Sequence, residues 1–89
     1  MKYQVVYSQR VIKELKKLDK YTKRIIKSWI DKNLVDCEDP RVHGKGLTAN
    51  RSGQWRYRIG DYRLICQIKD EELVILALTV GHRRDVYEN

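Results

Sequence analysis

"GQWRYRIGDYRLICQIKD", residues 53–70, decides the fold. Alternation puts Trp55, Tyr57 and Ile59 on one face of an extended segment and Gln54, Arg56 and Arg58 on the other. Gly60-Asp61 stands where a two-residue type II′ hairpin takes glycine first. A turn that tight pairs Ile59 with Tyr62 and sets Arg58 directly opposite Arg63. Like charges opposed across two strands cost a few tenths of a kcal/mol. A fold accepts that cost most readily where an anion is to sit.

Outward from this hairpin, the pattern predicts three consecutive strands at about 54–60, 62–69 and 72–80. The last, "LVILALTV" at 73–80, is apolar on both faces, as a covered central strand should be. Gly81 is expected to end it, leaving the charged tail "HRRDVYEN". Upstream, Pro40 and the glycines at 44 and 46 mark a loop running from Cys37 to Gly53. At the start, "KYQVVYS" reads as a strand with Tyr3, Val5 and Tyr7 on one face. Ser8 can cap a helix through about Leu18, with Val11, Ile12, Leu15 and Leu18 at helical spacing. Asp19 can cap a second, whose expected buried stripe is Tyr21, Ile25, Ile26, Trp29 and Ile30. So short a join predicts a helical hairpin. The expectation is one α+β domain over 1–89: an N-terminal strand, a two-helix hairpin, then a three-stranded antiparallel meander. The helices pack on one face of the sheet, and the first strand joins one edge of the meander.

Composition bounds the function. A chain of 89 residues at 42% hydrophobic and 35% charged is globular, with room for one small core. A net charge of +7 favours a polyanion as partner. From Arg41 to Gly60 the charged residues are Arg41, Lys45, Arg51, Arg56 and Arg58, with no acid among them. Two cysteines do not make a disulfide framework, and Cys66 alternates in phase with the core positions Tyr62, Leu64 and Ile68. The N-terminus lacks the pattern of a signal peptide, and the run at 73–80 is too short to span a bilayer. A cytoplasmic protein without membrane partners is expected.

Phosphate-binding glycine motifs, CxxC and HExxH are absent from the sequence, and no acid pair suggests two-carboxylate hydrolysis. His43 and His82 with two separated cysteines do not make a zinc site, so neither metal nor cofactor is expected. What remains is basic: Arg56, Arg58 and Arg63 on one face of the hairpin, then His82, Arg83, Arg84 and Tyr87. Because the tail leaves the strand beside that of Arg63, both groups are expected to line one concavity. Guanidinium groups offer planar, bidentate donors to phosphate, and a tyrosine can stack on a base. Cations alone can promote RNA cleavage, since RNA carries its own nucleophile in the 2′-OH. The plainer reading is that these arginines only bind phosphate or pair with a partner's acids. The helices carry Lys13, Lys16, Lys17, Lys20, Lys23, Arg24 and Lys27, either a solvated face or the footprint of a large polyanion.

The stretch "GQWRYRIGDYRLICQIKDEELVILALTVGHRRDVY" at 53–87, with "GKGL" at 44–47 and the helical hairpin, resembles the RelE/ParE superfamily of bacterial and archaeal toxins from toxin–antitoxin systems. The resemblance implies a RelE-like fold and, for the RelE-type branch, a ribosome-dependent, metal-independent messenger-RNA endonuclease that arrests growth. Attack by the 2′-OH then leaves a 2′,3′-cyclic phosphate and a 5′-OH. It places the family's alternating strand basics on Arg56 and Arg58, the "YRL" arginine on Arg63, the arginine after the last strand on Arg83, and the base-stacking tyrosine on Tyr87. The best-known RelE toxin carries lysine where this chain has Arg56 and Arg58. Arginine, protonated below about pH 12, is a poor base. His82 is then the better-tuned acid or base, unless catalysis is electrostatic throughout.

The same resemblance implies a cognate antitoxin, with the 70S ribosome and its messenger RNA as targets. Lys45, Arg51, Arg84 and the helical lysines would be contacts to RNA, and operator DNA would be met only through the toxin–antitoxin complex. The competing readings are a ParE-type toxin that inhibits DNA gyrase without cutting RNA, and a degenerate toxin kept as an antitoxin-bound repressor.

Overall fold

The computed structural model describes residues 1–47, 53–82 and 84. Its elements run β1 (Gln4–Tyr7), α1 (Gln9–Lys16), α2 (Lys20–Asn33), β2 (Lys45–Gly46), β3 (Gln54–Ile59), β4 (Tyr62–Lys69) and β5 (Val74–His82). The strands form one mixed sheet in the order β1-β5-β4-β3-β2.

Both helices begin where their caps predict. The Ser8 hydroxyl accepts from the Val11 amide at 3.1 Å and itself donates to the Leu78 carbonyl at 3.0 Å, so one side chain starts α1 and fastens it to β5. The Asp19 carboxylate accepts from the Thr22 amide and hydroxyl, which holds its pKa below the usual aspartate value. Val11, Leu15, Ile26, Ile30 and Leu34 then meet Tyr57, Ile59, Leu64, Cys66, Ile75, Ala77 and Val80 in the core. Cys66 is fully buried there, and burial pushes its thiol pKa well up.

The sheet departs from a plain antiparallel meander in three ways. First, β1 pairs in parallel with β5, Gln4 beside Val74 and Tyr7 beside Ala77. Its four residues cover only half of β5, and the outer edge beyond is closed by α1: Glu14 accepts from the Val80 amide and the Thr79 hydroxyl, each at 2.9 Å. Second, the expected loop contains β2, which pairs Lys45 with Arg56 and Gly46 with Trp55. Third, Asp70–Glu72 form a 3-10 turn before β5, and Gly81 lies inside β5 rather than after it.

The stripe expected on α2 is also narrower. Ile26 and Ile30 are buried, but Tyr21 is 73% exposed and Ile25 is 42% exposed. One sheet face accommodates only an arc of the helix, so Leu34 completes the buried row instead. Ile12 of α1 is exposed by the same geometry.

Candidate nucleic-acid interface

The β3–β4 register is the one the hairpin predicts: Ile59 opposite Tyr62, Arg58 opposite Arg63, Arg56 opposite Ile65. Gly60 takes φ +61°, which L side chains avoid, while Asp61 does not, as a type II′ turn requires. Because Tyr57, Ile59 and Leu64 face the helices, Arg56, Arg58 and Arg63 stand on the other face. There Arg58 is exposed, Arg63 half-buried and Arg56 buried at 8% exposure, next to the buried Ile65. The next position in the Arg58–Arg63 row is Gly81 on β5, which adds no side chain to that row.

Charge is segregated along the strands. Asp36, Glu38, Asp39, Asp70, Glu71 and Glu72 lie where β1 begins and β4 ends, the end opposite the hairpin turn. Asp70 is engaged there: it accepts from the Tyr3 hydroxyl at 2.6 Å and from both terminal nitrogens of Arg41 at 3.0 and 2.9 Å. The Arg41 guanidinium, then the Tyr3 hydroxyl, hold its pKa below the usual carboxylate range. Toward the hairpin end stand Asp61, in the turn, and Glu14, which is engaged by the Val80 amide and the Thr79 hydroxyl.

His82 stands apart from the three arginines. It pairs with Tyr62, with ring centroids 5.5 Å apart, on the face opposite Arg63. Its Nδ1 accepts from the Arg84 amide at 3.3 Å. Neighbouring residues of a strand point to opposite faces, so a residue paired with Tyr62 cannot share the Arg63 row. The single concavity expected for His82 and the arginines is therefore not formed by these residues. Arg51, Arg83 and Tyr87 lie outside the described residues.

Lys13, Lys16, Lys17, Lys20, Lys23, Arg24 and Lys27 sit on α1, α2 and their join, on the helical side of the sheet. They form a second cationic surface, on the other side from the arginine row. Lys16, Lys23 and Lys27 border an apolar groove of about 320 Å³ floored by Tyr7, Ile12 and Leu15. Lys27 lies 5.1 Å from the Tyr7 ring centroid and pairs with Asp31 at 3.9 Å.

A cleft that sequence reading missed opens at the outer edge of β3. Beyond Arg56, β2 no longer pairs with β3, and a space of about 570 Å³ is lined by Trp29, His43, Gly44, Lys45, Arg56 and Arg58. Its outer wall is fastened at successive points. The Tyr57 hydroxyl donates to the Pro40 carbonyl and the Trp55 indole to the His43 carbonyl, each at 2.6 Å. Burial raises the Tyr57 pKa far above its ordinary value, so that hydroxyl stays a donor. Gly44 has φ +83°, and a Cβ there would lie 2.3 Å from the Arg56 carbonyl oxygen. The sequence signal was present in "HGKG" at 43–46, but those glycines read as loop rather than as close approach. Among the described residues no three His, Cys, Asp or Glu side chains gather to hold a metal, and no helix is long and apolar enough to cross a membrane. The arrangement is one of fixed cations and aromatic rings, suited to a phosphate-bearing strand.

Comparison with known proteins agrees with this fold. A family model described as the ParE toxin of type II toxin–antitoxin systems matches residues 5–87. Toxin RelG of Mycobacterium tuberculosis is 32% identical over 88 residues, 98% of each chain. The mRNA interferase toxin RelE of Escherichia coli K12 is 31% identical over 85 residues, 93% of this chain and 85% of that one. Among solved structures, the RelBE2 toxin–antitoxin complex of M. tuberculosis superposes with a TM-score of 0.84 at 28% identity, covering 96% of this chain and 95% of that chain.

Proposed function

This chain belongs to the RelE/ParE family of type II toxin–antitoxin toxins, and from that premise we propose that it is a RelE-type endoribonuclease acting on messenger RNA at the ribosome. The observation that carries the reading is the direct opposition of Arg58 and Arg63 across the hairpin. Two arginines in directly opposed register, with no side chain at Gly81 in the row, suit one scissile phosphate. Arg56, two positions along the same strand, serves the neighbouring phosphate. The 2′-oxygen attacks phosphorus, the bond to the 5′-oxygen breaks, and that oxygen leaves with a proton as the 5′-OH. The other product is the 2′,3′-cyclic phosphate. The cations' task is to align the strand and to neutralise charge growing on the phosphorane.

The face on which His82 stands favours an electrostatic catalyst over one with His82 as base. Arg83 and Tyr87 keep the roles the resemblance implies, phosphate contact and base stacking. The lysines of α1 and α2, on the far side of the sheet, fit a separate contact to ribosomal RNA. A cognate antitoxin would hold the toxin inactive in the cytoplasm and bring it to operator DNA as a complex, in keeping with the RelBE2 complex it superposes on.

A second reading is favoured by the family model itself, which is named for ParE: inhibition of DNA gyrase without RNA cleavage. Two assays divide the readings. Under the nuclease reading, RNA from arrested cells carries new 2′,3′-cyclic phosphate ends and gyrase supercoiling is unaffected. Blocked supercoiling with intact RNA would instead establish the ParE-type activity.

A further inference from the structure

We infer that the cleft at the edge of β3 is a nucleotide subsite, in which a base of the RNA strand packs against His43 and Trp29 while its phosphate meets Lys45 and Arg58. The inference rests on the endoribonuclease reading for its biological ligand, but its geometry is independent of cutting. At about 570 Å³ the cleft falls within the range of roughly 300–1,000 Å³ typical of small-ligand sites. Its lining combines what binds single-stranded nucleic acid: aromatic surface on one side and fixed cations on the other. Trp29 and His43 meet edge to face with centroids 5.7 Å apart, and both line the cleft. Trp29 in turn rests on Tyr57 at 5.6 Å, so its indole has a firm backing.

The cleft is also held ready. His43 is exposed, yet its backbone is tied by the Trp55 indole, and Gly44 is pressed against β3 so closely that only glycine fits. Arg41 braces the wall from outside, bonded to Asp70 and lying 5.9 Å from the Trp55 ring. Lys45 is locked opposite Arg56 by β2 pairing. The wall is therefore a fixed support for His43 and Lys45, as a pre-organised site requires. Arg58 lines the cleft and also faces Arg63. A nucleotide seated in the cleft is thus continuous with the strand whose phosphate the two arginines grip.

The test is a titration of the toxin with a 2′-O-methyl trinucleotide, which cannot be cleaved because its nucleophile is blocked, followed by the indole N–H resonances of Trp29 and Trp55. The expected result is a saturable shift of the Trp29 signal. His43→Ala, which removes an exposed ring and leaves the backbone carbonyl in place, should weaken binding on the order of tenfold. Shifts confined to the Arg58–Arg63 hairpin, equal affinity for wild type and H43A, or no saturation at millimolar trinucleotide would each overturn the subsite. Its fate separates from that of the nuclease reading. Wild-type cutting with rate and cut positions unchanged in H43A sinks the subsite alone, whereas trinucleotide binding at Trp29 without any cutting sinks the nuclease alone.

Discussion

Arg58 and Arg63 are set opposite each other by the register of a single hairpin, and the coupling between them is measurable. Like charges directly opposed across antiparallel strands destabilise by roughly 0.2–1 kcal/mol. For a domain of this size 1 kcal/mol moves Tm by about 4–8 °C, so a mid-range repulsion of about 0.5 kcal/mol corresponds to about 2–4 °C. A double-mutant cycle isolates it from whatever else each side chain touches. Arg58→Gln relieves the repulsion, Arg63→Gln relieves the same repulsion, and the double variant relieves it only once. The two single changes in stability should therefore sum to more than the double change, by about 0.5 kcal/mol. Thermal melts at low ionic strength, about 0.01 M, should show the excess; at about 1 M, where the Debye length falls to roughly 3 Å, it should shrink. A cycle that closes to zero at low salt, or an excess that salt leaves unchanged, would show that the two arginines do not repel each other.

Other expectations follow from the same geometry. Gly44→Ala combines left-handed strain with a Cβ 2.3 Å from a backbone oxygen, and should cost about 2–5 kcal/mol. Gly53→Ala, with φ +93° but open space around it, should cost only about 1–2 kcal/mol; equal urea midpoints for the two would contradict the close approach. Glu14→Ala removes the acceptor of the Val80 amide at the outer edge of β5, a loss of about 1–3 kcal/mol. Faster hydrogen exchange at Val80 is the specific readout, and unchanged exchange would argue against this closure of the edge. The carboxylate of Asp70 has a depressed pKa, so its stabilisation is present above the ordinary aspartate value, about 3.9, and lost as pH falls through the lower folded value. Wild type should exceed Asp70→Asn in urea midpoint at neutral pH and converge with it in strong acid; a gap independent of pH would remove charge from the explanation.

Much of this fold is legible in the chain because local chemistry and tertiary structure agree. Gly60-Asp61 sets the hairpin register, Ser8 and Asp19 start the two helices, and alternation through Tyr57, Ile59 and Leu64 identifies the covered face. What the sequence hides are contacts made at a distance. The parallel pairing of β1 depends on which sheet edge is left open, and nothing in "KYQVVYS" encodes that. β2 is two residues long, too short for any period, and exists because Gly44 allows the loop to lie against β3. The face of His82 was open to error for one reason: Gly81, expected to end the strand, continues it, so alternation carries on to His82. The cleft with Trp29 joins a helix to a loop fourteen residues later, a juxtaposition that only packing produces.

The measurement that bears most directly on the central claim is primer extension along a defined message in a purified translation system, with wild type and Arg63→Ala. A RelE-type nuclease gives codon-phased cuts that require ribosomes and are abolished or strongly reduced in the variant, while the variant keeps the wild-type fold by circular dichroism. An intact message under active translation, or cuts undiminished by loss of Arg63, would contradict that claim.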